Sequence, residues 1–204
     1  GTSTFGTGRG GDITVNATGT VSISGGYEGP GGSFTPTSIS SGVVGDGDAG
    51  AISISARTVE ITDGALLHAS SDSNLNSGGV ASTGRAGDIT ITASDRVSMS
   101  GVHVNSFGDL AVSSIQSTTQ SDGDAGSISI SARSVDLKDG ASISTSTFNN
   151  VIGGSPSGPI ITMGRGGDIS ITASDTVSLT GGVVNPISGF FIASGLSSRT
   201  FNNG

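Results

Sequence analysis

The chain has 204 residues, 36 of them glycine, with no cysteine, no tryptophan and a formal net charge of −8. Lacking cysteine, it has no disulfide framework and no thiolate metal site. Its acidity disfavours a nucleic-acid partner, which needs Lys and Arg patches, and no run of about 20 apolar residues is present to span a membrane as a helix. Such glycine and serine content is also a mark of disorder, but the hydrophobic residues, 32% of the chain, fall at fixed spacings that a disordered chain has no reason to keep.

In chain order, Thr2-Ser3-Thr4-Phe5 leads almost directly into the first of five internal repeats. Three copies, which we call Arg-type, read Gly-Arg-(Gly/Ala)-Gly-Asp-Ile and start at Gly8, Gly84 and Gly164. Two copies, which we call Asp-type, read Gly-Asp-Ala-Gly-(Ala/Ser)-Ile and start at Gly47 and Gly123. The two kinds alternate at spacings of 39, 37, 39 and 41 residues. Repeats of this length mark solenoids, propellers or arrays. We therefore treat residues 1–204 as one repeat domain.

Each repeat begins with a stretch that alternates apolar and polar residues, the period of a half-buried strand. In the third repeat this is Asp88 to Ala93, followed by a polar corner at Ser94-Asp95-Arg96 and a second alternating stretch, Val97 to Ser100, closed by Gly101. The same skeleton gives Ile13/Val15 with Val21/Ile23, Ile52/Ile54 with Val59/Ile61, Ile128/Ile130 with Val135/Leu137, and Ile169/Ile171 with Val177/Leu179. A third, weaker strand follows at Ala65 to Ser70 and Ala141 to Ser146 in the Asp-type copies, and around Ile39, Ile115 and Leu196 in the Arg-type copies. Arg-type repeats carry extra residues between the second and third strands (Tyr27 to Pro36, His103 to Asp109, Val183 to Gly189). Asp-type repeats carry them after the third (Ser71 to Thr83, Asn149 to Met163). These insertions hold all five prolines, as surface loops should.

Three strands and three corners per repeat fit one rung of a triangular parallel β-helix, with rungs about 4.8 Å apart and five rungs spanning about 25 Å. Two shorter rungs of about 20 residues per repeat are the alternative reading. The short path from Thr2 to Gly8 argues for one rung, because it shows that the long insertion is dispensable.

Alignment puts Arg9, Asp48, Arg85, Asp124 and Arg165 at one position, so stacking would alternate their signs. Exposed ion pairs contribute only about 0.2–1 kcal/mol, so such a ladder sets register more than it stabilises: a slip of one rung brings like charges together. Arg57 and Arg133, with Asp95 and Asp175, are candidates for a second row at the next corner.

The runs Gly164 to Gly181 (Gly-Arg-Gly-Gly-Asp-Ile-Ser-Ile-Thr-Ala-Ser-Asp-Thr-Val-Ser-Leu-Thr-Gly) and Gly123 to Gly140 resemble the repeats of large bacterial filamentous-haemagglutinin-like exoproteins, in the style of the cyanobacterial members. The resemblance covers nearly the whole chain. It implies a right-handed parallel β-helix, an extracellular or cell-surface location reached with a dedicated secretion partner, and a role in adhesion or surface fibres. It supplies no catalytic residues.

Other candidates are weaker. Asp46, Asp48, Asp122 and Asp124 are acids that a calcium ion would accept, but the chain lacks the calcium-binding nonapeptide pattern. His68 and His103 sit on different elements with no cluster of metal-ligating residues near them in sequence. The acids are spread one per rung rather than grouped, so we expect no enzyme, no cofactor and no metal. Arg9-Gly10-Gly11-Asp12 and Arg165-Gly166-Gly167-Asp168 differ from the Arg-Gly-Asp triplet by an extra glycine. Asn16-Ala17-Thr18 matches a glycosylation sequon, and the outward row Thr14, Ser53/Ser55, Thr90/Thr92, Ser129/Ser131 and Ser170/Thr172 suggests the flat ladder of ice binding; Ser is a poor substitute for Thr there, and a solvated β face gives the same pattern. The expectation is a structural extracellular segment of an adhesin or filament that associates head-to-tail through open terminal rungs, either within a longer array or between copies. The alternative is a carbohydrate-binding module using Tyr27, Phe34, Phe107, Phe190 and Phe191.

Overall fold

The computed structural model describes residues 1–72, 83–120, 122–148 and 164–201, so most of the two Asp-type insertions and the last three residues lie outside the description. It is all-β. Strand β1 (Thr2–Phe5) precedes the repeats. Repeat 1 holds β2 (Ile13–Asn16), β3 (Thr20–Ser24), β4 (Gly26–Glu28), β5 (Phe34–Pro36) and β6 (Ser38–Val44), and repeat 2 holds β7 (Ile52–Thr62) and β8 (Leu66–Asp72). Repeat 3 holds β9 (Ile89–Ser100), β10 (Val102–Val104), β11 (Leu110–Val112) and β12 (Ser114–Thr119). Repeat 4 holds β13 (Ile128–Lys138) and β14 (Ser142–Phe148), and repeat 5 holds β15 (Ile169–Thr180), β16 (Gly182–Val184), β17 (Phe191–Ala193) and β18 (Gly195–Phe201).

These strands form two six-stranded parallel sheets. The first-sheet order is β1-β6-β8-β12-β14-β18; the second runs β15-β13-β9-β7-β2, with β3 also paired to β7. In both sheets each repeat pairs with the one before and the one after, and equivalent residues meet. Ile52 faces Ile13 and Ile89, Ile128 faces Ile89 and Ile169, and Ile115 faces Leu67 and Ile143. Residues from both sheets join one core cluster, in which Ile89, Val97, Met99, Val135, Leu137, Leu67, Ile115 and Ile143 have no exposed surface. At about 1.5–3 kcal/mol for each fully buried aliphatic side chain, this stack is the main source of stability.

The expected three strands per repeat are kept only in repeat 1 (β2, β3 and β6); repeats 2 to 5 have two long strands, joined by a turn in repeats 2 and 4 and by a hairpin in repeats 3 and 5. In repeats 2 to 5 the first and second stretches run on as one strand through the polar corner. The corner is instead a β-bulge: pairing slips between Ala56 and Thr58, and between Ala132 and Ser134. Arg57 alone opposes Ser94 and Asp95, so the strand bends without ending. The alanines of this corner face inward, Ala56, Ala93 and Ala132 being buried, where a larger side chain would prop the bend open.

The second corner is made of glycine columns. A Cβ on Gly84, Gly123 or Gly164 would run into the carbonyl of the glycine one repeat earlier (Gly47, Gly84, Gly123), and the same holds for Gly87, Gly126 and Gly167 over Gly50, Gly87 and Gly126. Successive backbones approach here too closely for any side chain.

Candidate interaction surfaces

The Arg-type insertions fold as three antiparallel hairpins, β4–β5, β10–β11 and β16–β17. In Asp-type repeats the same place is a tight Asp-Gly turn: Asp63 and Gly64, and Asp139 and Gly140, all have positive φ. Ala65 and Ala141 donate their N–H groups back to the carbonyls of Thr62 and Lys138, closing each turn. The second and third hairpins each lie over the turn of the repeat before. The Gly64 N–H donates to Ser113 Oγ at the base of β10–β11, and the Gly140 N–H donates to Ser194 Oγ at the base of β16–β17. A Cβ on Gly64 would meet His103 and the Ala111 carbonyl. A two-stranded hairpin therefore fills the height of two repeats, which is why hairpin and turn alternate.

Successive hairpins also grip one another. The Phe34 ring stacks on His103 with centroids 3.9 Å apart and planes 11° from parallel. Glu28 receives the Ser106 N–H at 2.7 Å and lies 3.3 Å from His103 Nε2; hydrogen bonds from the Ser106 side chain and backbone, helped by His103, hold its carboxyl below the usual range. Asn105 Nδ2 donates to the Gly32 carbonyl, and Asn185 Nδ2 reaches the Gly108 carbonyl. Phe107 covers Gly32, and Ile187 covers Gly108. The sequence reading of separate loops missed this stack. The available signal was a glycine recurring two residues before an apolar residue in each insertion (Gly32/Phe34, Gly108/Leu110, Gly189/Phe191); all three glycines have positive φ.

The aromatics named from sequence all lie on this stack. Tyr27, Phe107, Phe190 and Phe191 are each more than 60% exposed, whereas Phe34 is half-buried against His103 and has one face occupied.

The five residues of the alternating row stand at successive repeats, but the carboxylates act mainly on the backbone. Asp48 Oδ1 accepts the Arg85 N–H at 2.9 Å and Asp124 Oδ1 accepts the Arg165 N–H at 2.7 Å. The guanidinium of Arg85 comes only to 3.9 Å from Asp124, and Arg9 pairs with Asp12 of its own repeat at 2.7 Å. Asp12 and Asp88 behave like Asp48, accepting the N–H groups of Ala51 and Ser127. The Ala51 amide, with help from Arg9, holds the Asp12 carboxyl below the usual range. Each of the first four repeats thus hands one carboxylate to the backbone of the next. Asp46 likewise reaches the Thr83 N–H at 3.3 Å.

Direct ion pairing is stronger at the bulge. Arg133 reaches Asp95 at 2.6 Å and Asp175 at 3.2 Å, so three successive repeats are linked there, and Arg96 reaches Asp136 at 2.9 Å. The Arg133 guanidinium lowers the Asp95 carboxyl and is itself raised by it.

His68 and His103 are on separate elements. His68 lies on β8 with Nε2 2.9 Å from Thr118 Oγ1; burial lowers its pKa, partly offset by Asp72. Among the described residues no three His, Asp or Glu side chains converge as metal ligands, and no helix is long and apolar enough to cross a membrane. Comparison with protein-family models, with curated proteins and with solved structures returns no match.

Proposed function

We propose that this chain is a structural, non-enzymatic segment of an extracellular or cell-surface adhesin or filament, built as a right-handed parallel β-helix of the filamentous-haemagglutinin-like kind. The observation that carries the reading is the register. Repeat after repeat, both sheets add a parallel strand with like residues in contact. An architecture in which each repeat contacts only its neighbours makes a rod, and its core ladders have no natural limit to their length. On one side β1, β2 and β3, and on the other β15 and β18, present strand edges on which a further matching repeat can stack end-on.

A second reading is favoured by the exposed Tyr27, Phe107 and Phe190 along the hairpin stack: a surface that holds glycans against aromatic faces.

Negative-stain electron microscopy of the purified chain, with and without calcium, tests the first reading. Long fibres agree with it. Because five rungs span only about 25 Å, a chain that stays single is tested after extension with several alternating repeats (copies of residues 123–163 and 84–122 in turn), where straight rods agree with the reading and near-isometric particles overturn it. Glycan-array binding that disappears in a Tyr27→Ala/Phe107→Ala variant would support the second reading.

A further inference from the structure

We infer that the repeat 5 end of this rod is a selective docking face whose occupant is an Asp-type repeat, and that a second copy of this chain does not fit it by its own repeat 1 end. The inference rests on the end-on reading above. Its basis is that three separate features of the stack alternate with repeat type and all point the same way.

The first is charge. Within the sequence element that opens each repeat, the linking carboxylate alternates between the fifth position (Asp12, Asp88) and the second (Asp48, Asp124), and each accepts the amide at the same position of the next repeat. Repeat 5 presents Asp168 at the fifth position and Arg165 at the second, and among the described residues nothing donates to the Asp168 carboxylate. An Asp-type repeat would bring Ala or Ser to the one and Asp to the other. Repeat 1 of a second copy would bring Asp12 onto Asp168 and Arg9 onto Arg165, like on like about 5 Å apart.

The second is the bulge. Arg133 pairs downward with Asp95 and upward with Asp175. The upper side of Asp175 therefore matches the single arginine of an Asp-type corner, such as Arg57 or Arg133. Repeat 1 has Thr18 and Gly19 there, two residues facing two, which removes the bulge as well as the charge.

The third is the hairpin stack. Both hairpins that follow another repeat sit on its Asp-Gly turn, β10–β11 at Gly64 and β16–β17 at Gly140. Repeat 1 seated on repeat 5 would put β4–β5 into the height that β16–β17 already fills. The contacts that join hairpins are missing too. Gly189 has nothing within 4 Å, whereas Gly32 and Gly108 are covered by Phe107 and Ile187. Repeat 1 has Gly29 and Gly31 where the gripping Asn105 and Phe107 stand in repeat 3. The face also presents apolar ladder residues: Val177, Leu179 and Leu196 are 46%, 40% and 43% exposed, while their counterparts Val135, Leu137 and Ile143 are fully buried.

The test is to append one repeat after Gly204 in two versions, a copy of residues 123–163 (Asp-type) or a copy of residues 84–122 (Arg-type). Particle length is measured by small-angle X-ray scattering, one repeat adding about 5 Å, Tm by circular dichroism, and the association state of the unextended chain by sedimentation velocity. We expect the Asp-type addition to lengthen the particle and raise Tm by about 5 °C, the Arg-type addition to leave Tm unchanged, and the unextended chain to sediment as a monomer. Equal stabilisation by both additions, or head-to-tail fibres of the unextended chain, would overturn the selectivity while leaving the rod intact. If neither addition lengthens the particle, the rod reading falls and the selectivity with it.

Discussion

The inner faces of the two sheets solve the same problem differently. In the sheet of β7, β9, β13 and β15 every inward position beside the bulge is Ile, Val, Leu, Met or Ala. In the sheet of β6, β8, β12, β14 and β18 only the first inward row is aliphatic throughout (Ile39, Leu67, Ile115, Ile143, Leu196). The next two are mostly hydroxyls: Ser41, Ala69, Ser117, Thr145 and Ser198, then Val43, Ser71, Thr119, Thr147 and Thr200. The difference follows from what lies opposite. The hydroxyl rows face the glycine columns, which have no side chains to offer but do have backbone polar groups. Ser41 Oγ donates to the Gly11 carbonyl and accepts the Gly50 N–H, and Ser117 does the same for Gly87 and Gly126. Thr145 and Ser198 both donate to the Gly167 carbonyl. The inner face of one sheet is held by burial alone; that of the other adds hydrogen bonds that satisfy the backbone of the glycine corner.

The largest effect should come from the purely apolar side. Ile91 is fully buried, with Ile54 and Ile130 directly paired to it. Ile91→Ala should cost about 2–5 kcal/mol, read as a drop in the unfolding midpoint in urea, because stacked rigid neighbours cannot collapse into the space. A loss below 1 kcal/mol would mean that the ladder repacks freely.

Ser117 comes next. Removing its hydroxyl strips the Gly87 carbonyl of one partner and leaves the buried Gly126 N–H unpaired. Ser117→Ala should cost about 1–3 kcal/mol. Ser71 Oγ is buried in the same sheet and has no hydrogen-bond partner among the described residues. Ser71→Ala should therefore be neutral or slightly stabilising, since it deletes a desolvated polar group without breaking a bond. Equal losses at the two positions would show that the hydroxyls matter only as volume.

How much of this was legible in the sequence depends on which rows are considered. The aliphatic ladders were plain, because alternation at period 2 marks them in every repeat. The hydroxyl rows were not, because Ser and Thr at apolar-phase positions look like the solvent-facing Ser and Thr beside them. The bulge was hidden for a related reason. Ser94-Asp95-Arg96 has the composition of a turn, and only its length, two residues against the single Arg57 or Arg133 of the Asp-type copies, gives away a strand that bends and continues. The alternating charged row could be aligned from sequence, yet not the fact that its aspartates would take backbone amides. That depends on the glycine columns bringing successive backbones together.

On the outer face of the hydroxyl-lined sheet, His68 makes stability depend on pH. Its folded-state pKa lies below the usual value because burial disfavours the cation. Above about pH 6.5, the ordinary histidine value, the ring is neutral folded or unfolded, and its full contribution is present. As pH falls through that value the unfolded chain takes up a proton that the folded chain resists, so stability is lost. Tm should fall between pH 7.5 and 5.5, and His68→Gln should flatten that slope while leaving the further loss below about pH 4.5. There the depressed carboxyls of Asp12, Glu28 and Asp95 give the same sign. An unchanged slope in the variant would assign the effect elsewhere.

The smallest effects belong to the charged rows, and here the two corners should part company. Arg133→Met removes a guanidinium that links three repeats through Asp95 and Asp175. Arg85→Met removes one whose nearest carboxylate is 3.9 Å away, while its backbone N–H goes on donating to Asp48. Both sites are solvent-exposed, so salt screens them. Arg133→Met should lower Tm at low ionic strength by less than Ser117→Ala does, and the loss should vanish in 1 M NaCl. Arg85→Met should be silent in both conditions. Replacing the aspartates reverses the ranking of the corners. Asp48→Ala abandons a backbone amide that salt does not satisfy, so its cost should persist at high salt. Asp175→Ala gives up only an exposed ion pair and should lose its effect there. If all four variants responded to salt alike, the rows would be acting as surface charge in general, and the distinction between a backbone-capping corner and an ion-pairing corner would fail.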